Sequence, residues 1–202
     1  MTQPLAIIAN GSDPETPQER EALAACAACV CCDRLPPPGA PPLLQIVGDL
    51  DSLPTPPADP ALLTDLHADQ ESNDLTKAYR WLRARHPSTP LAYFAVTGKR
   101  EDHTLANLAL IAETAEHAHI YTASGFFALR PAGEHTLCVR PGAALSFLSF
   151  VPQRLTAEGL VWPVQDLLLD TLWRATLNRT AGTRVTVRCQ APLLIYQPWS
   201  SR

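Results

Sequence analysis

Over its first two-thirds the chain alternates short apolar runs with amphipathic stretches. Residues 5–10 form an apolar run closing on Asn10-Gly11, which predicts a strand followed by a turn. Thr16-Pro17 opens a helix over 16–25, with proline at the first helical position, where its missing N–H costs nothing. Residues 29–32 and 43–47 read as two more buried strands, the second closing on Gly48. Over 73–85, Leu75, Tyr79 and Leu82 recur at helical spacing behind Asn73 as a cap. A strand over 91–96, a helix over 101–115 and a strand over 118–122 complete the series. Such alternation predicts an α/β domain with a mainly parallel sheet covered on both faces.

After Ser124 the pattern changes. Residues 126–129, 136–139, 144–150, 185–189 and 193–196 are short apolar segments separated by glycine and proline, and only 167–174 suggests a helix. The expectation is a small all-β sandwich or open barrel, with the boundary at 122–125: an α/β domain over 1–123 and a β domain over 124–202. The 20 prolines gather at 36–42 and 54–60 as stiff connectors flanking the third strand.

Composition narrows the class. At 202 residues and 46% apolar the chain can build two cores and is not disordered. A net charge of -4 with no basic stripe argues against a nucleic-acid surface. No apolar stretch reaches the roughly 20 residues of a membrane span. The first ten residues lack the basic start of a secretory signal, which points to the cytoplasm. Cys26, Cys29, Cys31 and Cys32 crowd together, but no second pair or histidine pair completes a zinc pattern; they read as small buried thiols.

Three charged clusters stand where strands give way to helices, the ends at which open α/β sheets place ligands. In Gly48-Asp49-Leu50-Asp51-Ser52, extended backbone would project both carboxylates to one side, a donor pair that suits magnesium; the same residues also suit a turn. In Asp69-Gln70-Glu71-Ser72-Asn73-Asp74-Leu75-Thr76-Lys77, Asp74 opens the helix and shares a face with Lys77 and Trp81; an ordinary acidic first turn reads the same. In Gly98-Lys99-Arg100-Glu101-Asp102-His103-Thr104, leading to Asn107, a glycine, two cations and a helix start make an anion site, or a simple cap. Phosphate-loop, dinucleotide and nucleophile-elbow motifs do not occur.

These clusters, in this order, resemble those of thiamine pyrophosphokinases. Ala9-Asn10-Gly11, Gly159-Leu160 and Thr176-Leu177-Asn178 extend the resemblance over nearly the whole chain. Where the family has Asp-Gly-Gly-Ala after its second strand, this chain has Asp33-Arg34-Leu35. The resemblance implies transfer of the pyrophosphoryl group of ATP to the hydroxyethyl group of thiamine, with AMP leaving. It implies Mg2+ on Asp49, Asp51 and Asp74. It gives catalytic roles to those three with Arg100 and Asp102, the latter holding Arg100 or completing the metal shell. Asp33, Gln70, Asn73, Lys77, Lys99, His103 and Asn107 would contact nucleotide and phosphates. Trp173, Leu177 and Asn178 would meet thiamine in a homodimer whose site uses both chains; Trp162 reads as core or as a second aromatic face. A weak nucleotide-binding regulator of the same fold and a magnesium-dependent phosphotransferase for another small alcohol are the alternatives.

Overall fold

A computed structural model describes residues 2–51, 53, 55, 57–69 and 71–199. Contacts divide the chain into two compact units, residues 1–108 with 120–123 and residues 109–119 with 124–202.

The first part of the chain runs β1 (Leu5–Ile8), α1 (Pro17–Ala24), β2 (Ala28–Cys32), β3 (Leu43–Gly48), a 3-10 turn at Pro60–Leu62, β4 (Leu63–Asp65), α2 (Asp74–Arg85), β5 (Leu91–Phe94), α3 (Glu101–Glu113) and β6 (Ala118–Thr122). The strands stand in the order β6-β5-β1-β2-β3-β4. The pairs β5–β1, β1–β2, β2–β3 and β3–β4 are all parallel. On one face Ala6, Ile8, Cys29, Cys31, Ile46 and Phe94 pack with Leu23 of α1. The alternate residues Leu5, Ile7, Val30, Cys32 and Val47 are equally buried. Helix α2 lies against β1, β2 and β3 and buries Leu75, Ala78 and Leu82. Burial on both faces explains why these strands read as unbroken apolar runs.

Helix starts follow their caps. Thr16 and Glu19 form a reciprocal capping box: Thr16 Oγ1 accepts from Glu19 N–H at 3.2 Å, and the Glu19 carboxylate accepts from Thr16 N–H at 3.1 Å. Asn73 Oδ1 accepts from Thr76 N–H at 2.9 Å and so begins α2.

The second unit is a sandwich. It contains β7 (Gly125–Arg130), β8 (Gly133–Cys138), β9 (Ala144–Leu148), β10 (Gln153–Glu158), β11 (Val164–Leu169), β12 (Asn178–Arg179), β13 (Arg184–Cys189) and β14 (Leu193–Pro198). One sheet runs β12-β9-β14-β7 and the other β11-β10-β13-β8, and neighbouring strands in both are antiparallel. Phe147 and Ile195 of the first sheet share one core with Leu155, Val185 and Val187 of the second.

The helix expected over 167–174 does not form. Leu167, Leu168 and Leu169 belong to β11, which pairs with β10 from Gln153↔Leu169 to Ala157↔Val164. Val164 and Leu169 reach the core, and Asp166 sits at φ 46°, off the α-helical path. The ladder offered by β10 outweighs the weak helical preference of a leucine run. Strands β4, β10 and β12 had no counterpart in the sequence reading.

The cysteines are all free; Cys26, Cys29, Cys31, Cys32 and Cys189 are buried and Cys138 is exposed. Burial pushes the Cys26 thiol up to about 12. No helix among the described residues is long and apolar enough to cross a membrane.

Candidate active site

The chain leaves β1 for β2 and β3 on one side and returns to β5 on the other, so the crevice beyond the carboxyl ends of β1 and β5 is a topological switch point. Gly11 is required there. A Cβ on it would stand 2.3 Å from the carbonyl oxygens of both Ala95 and Thr97. Instead Gly11 N–H donates to Ala95 O at 2.6 Å and Ser12 N–H to Thr97 O at 2.9 Å, tying the loop after β1 to the loop after β5.

A cavity of about 470 Å³ opens at this point, lined among others by Asn10, Asp74, Thr97, Lys99, Arg100 and Asn107. Asn73 and His103 also border it. Three strand ends nearby carry non-glycine residues in the left-handed region: Asp33 (φ 48°) after β2, Leu50 (φ 64°) after β3 and Ala95 (φ 54°) after β5. Strained backbone of this kind gathers at functional sites.

The acids come together differently from the sequence expectation. Asp33, Asp49 and Asp51 each offer a carboxylate oxygen, and these atoms lie within 4.8 Å of one another. The left-handed Leu50 turns the chain, so a turn rather than an extended pleat brings Asp49 and Asp51 to the same place. Asp74 is not in that group but adjoins it. A Cβ on Gly48 would stand 2.9 Å from the Cβ of Asp33 and 3.3 Å from Asp74 Oδ1, so the absence of a side chain there lets both acids stand close to the end of β3. Burial pushes the Asp74 carboxyl above its ordinary value, Lys77 pulls it down, and the charges of Asp49 and Asp51 push it up again.

The cations are placed one by one. Lys77, only 5% exposed, sets Nζ 3.3 Å from Asp74 Oδ1. Lys99 Nζ donates to Asn10 Oδ1 at 3.1 Å. Arg100 donates through Nε and Nη2 to the two oxygens of Asp102, at 3.0 and 2.6 Å, and this fork holds the exposed Asp102 carboxyl down at about 2. Of its two expected roles, Asp102 here performs the holding of Arg100. Asn107 Nδ2 donates to Val96 O at 2.9 Å and pins the cavity wall. The Asn73 side chain is spent on the helix cap, and the His103 ring borders the cavity from an exposed position. Gln70 and Ser52 lie outside the described residues.

Cys32, Thr97 and Thr104 also line the cavity, and the sequence assigned none of them a ligand role. For Cys32 the signal was present: the pleat of β2 points it away from Cys31, which faces the α1 side.

In the second unit Trp173 is 71% and Leu177 82% exposed, and Trp162 is 56% exposed. The loops bearing them are stitched together. Leu160 bridges Thr180, Val161 N–H donates to Arg179 O at 2.8 Å, and Asn178 Nδ2 donates to Trp162 O at 2.7 Å. Asn178 is buried and its amide is committed to the Trp162 backbone, so it positions that loop.

The model of the thiamin pyrophosphokinase catalytic domain matches residues 42–122, and that of the thiamin pyrophosphokinase substrate-binding domain matches residues 125–196. The chain belongs to the thiamin pyrophosphokinase family. Thiamin pyrophosphokinases are kinase-type transferases that take ATP and thiamin as substrates, and this chain shares that activity. Its fold is that of solved members. The thiamine pyrophosphokinase of Bacillus subtilis is 21% identical, with a TM-score of 0.75 over 97% of this chain and 99% of that one. The thiamin pyrophosphokinase of Candida albicans is 15% identical, with a TM-score of 0.73 over 98% of this chain and 92% of that one. For the yeast thiamin pyrophosphokinase the values are 14% and 0.72, over 98% and 86%. No curated protein sequence matches the chain.

Proposed function

We propose that residues 1–123 carry out the pyrophosphoryl transfer with Mg2+, and that residues 124–202 contribute thiamin contacts and the dimer interface. The observation that carries this reading is that Asp74, which lines the switch-point crevice with Lys99 and Arg100, adjoins both Lys77 and the group of Asp33, Asp49 and Asp51. Phosphoryl-type transfers depend on alignment and charge neutralisation, which is what such a set supplies.

The donors fit magnesium. They are hard carboxylate oxygens, and the separation of up to 4.8 Å among Asp33, Asp49 and Asp51 can close around one small cation. Asp49 and Asp51 would hold it, with Asp33 and Asp74, both close to Gly48, as further oxygen donors. Bound there, Mg2+ would neutralise phosphate oxygens and shape the polyphosphate for in-line attack. Lys77 would lie between Asp74 and the transferred group. Lys99 and Arg100, which line the cavity, would neutralise phosphate oxygens, Arg100 with the donors that Asp102 leaves available. His103 and Asn107 face the nucleotide from α3.

A mixture of the protein, ATP, Mg2+ and thiamin should yield AMP and thiamin diphosphate in equal amounts by chromatography. ADP as the stoichiometric product would replace this reading with an ordinary kinase.

The dimer proposal rests on Trp162, Trp173 and Leu177, apolar side chains left exposed on two stitched loops. A flat thiazolium–pyrimidine ligand and a second copy both suit such a surface. Sedimentation equilibrium should give twice the chain mass, and Leu177→Glu should halve it; a single-chain mass for the unaltered protein overturns the proposal. Six free thiols and the need for ATP support a cytoplasmic setting. The net charge of -4 supports a protein that binds no nucleic acid.

A further inference from the structure

The second unit gathers cationic side chains that neither the transfer reading nor the dimer reading uses. His117 precedes β6 and His119 lies within it, while Arg130 ends β7, the neighbour of β6 in the sheet. His135 joins them from β8, in the other sheet. The rings of His117 and His135 meet edge to face, with centroids 5.4 Å apart and planes at 79°. His119 packs in the same way on Phe126, at 5.8 Å. Burial, then the charge of Arg130, then that of His135 lower the His117 ring below the ordinary histidine value. His119 is brought down to about 4 by burial, then by Arg130 and His117.

Arg130 is the distinctive group. It is half-buried, and burial lowers its pKa with no neighbouring acid to offset the loss of water. Among the described residues no carboxylate pairs with it. Glu134, the acid next to His135 in the chain, is taken by Arg188 Nε at 2.5 Å, and Glu116, which precedes His117, is engaged elsewhere. Arg130 Nη1 donates to Leu129 O at 2.8 Å, which leaves Nε and Nη2 as a planar fork. A half-buried charge without a counter-ion is costly, so a bound anion would stabilise this arrangement. Pro131 O can only accept, so its 2.8 Å contact with His135 Nε2 fixes the ring proton there, and Nδ1 gains a proton when the ring becomes charged.

We propose that this cluster binds a tetrahedral oxyanion of the phosphate class, held by the fork of Arg130 and by the protonated rings of His117 and His135. Donors on a guanidinium and on two nearly perpendicular rings do not lie in one plane, which suits a tetrahedral anion better than a planar carboxylate. A transition cation, which two imidazoles can otherwise hold, is repelled by the guanidinium. His117 is exposed and gives the anion its way in from solvent. The anion supplies the charge that the cluster lacks, so binding and protonation support each other and affinity rises as pH falls. None of these residues lines the transfer crevice, and the inference stands apart from the transfer reading.

The test adds inorganic phosphate or sulfate to the full chain and follows the ring signals of its 6 histidines by NMR, assigned with His117→Gln and His135→Gln. Both anions should shift His117 and His135 together and saturate in roughly the millimolar range, the scale of a few charge-assisted hydrogen bonds. Sulfate keeps its charge as pH changes, so it isolates the imidazoles: its affinity should be about tenfold higher at about pH 6 than at about pH 8. Glycerol 3-phosphate in a parallel titration identifies the occupant: comparable affinity supports a phosphomonoester, and markedly weaker binding supports the free ion. Arg130→Met should weaken both inorganic anions at least about tenfold. Because it removes an uncompensated charge, it should melt no lower than the unaltered protein. His117→Gln alters an exposed side chain, carries no folding risk, and should reduce the pH dependence of sulfate binding. His103, which borders the transfer crevice, reports any phosphate bound there by a separate curve. The proposal is overturned if His117 and His135 show no shared response, or if chloride at matched ionic strength moves them equally. A response to Zn2+ alone, or one that persists unchanged in Arg130→Met, overturns it as well.

Discussion

Asp49→Asn and Asp51→Asn are each expected to lower kcat by at least about a hundredfold, the scale of losing a key electrostatic group. Asparagine keeps the shape and a carbonyl oxygen but removes the charge. The two residues are partly or fully exposed, so circular dichroism and thermal melting should be close to those of the unaltered protein. The Mg2+ concentration for half-maximal rate should rise in both variants, which a purely architectural role would not produce. Asp33→Asn provides a third arm. Asp33 is 2% exposed with φ 48°, a conformation that asparagine tolerates well, so its loss of rate reports on charge more than on backbone. Near-normal kcat in both Asp49→Asn and Asp51→Asn would remove the metal assignment.

Lys77→Met should cost a comparable factor, about 10²–10³ in kcat. Methionine matches the length of the buried stem and leaves the packing of α2 nearly intact. What disappears is the ammonium 3.3 Å from Asp74 Oδ1. Without it the Asp74 carboxyl, already raised by burial, rises further, and Asp74 loses its cation partner. Stability should fall by only about 1 kcal/mol, because Asp74 keeps partial contact with water. Lys77→Arg keeps the charge but carries a larger head into a site with 5% exposure, so partial rescue is the expected result there. Full activity in Lys77→Met would show that Lys77 serves the helix rather than the reaction.

Most of the first unit was legible because its signals are local and strong. The Thr16–Glu19 box, the Asn73 cap and the apolar runs of β1, β2, β3 and β5 each fix an element without reference to anything distant. The charged motifs could be placed at strand ends for the same reason. Their mutual geometry could not. Whether Asp33 or Asp74 stands nearest to Asp49 and Asp51 depends on the left-handed Leu50 and on the absence of a side chain at Gly48. The β unit was less legible. In β11 a leucine run with helical preference is held in a ladder by β10, itself a polar-alternating segment, Gln153 to Glu158. Asn178 shows the limit at a single residue: the motif marks it as a ligand group, and its bond to the backbone of Trp162 could not be read from the motif.

The position of β1 inside the sheet has a consequence for synthesis. It is the first strand made, yet it lies between β2 and β5, and its Ile8 pairs with Phe94. At roughly 5–20 residues per second, a ribosome leaves that edge without its partner for several seconds after β1 and β2 have emerged. During that interval an apolar parallel edge is open to wrong pairing. The nascent chain is thus most in need of a chaperone's protection between the emergence of β2 and that of β5, and a pause in translation anywhere in this stretch lengthens the exposure.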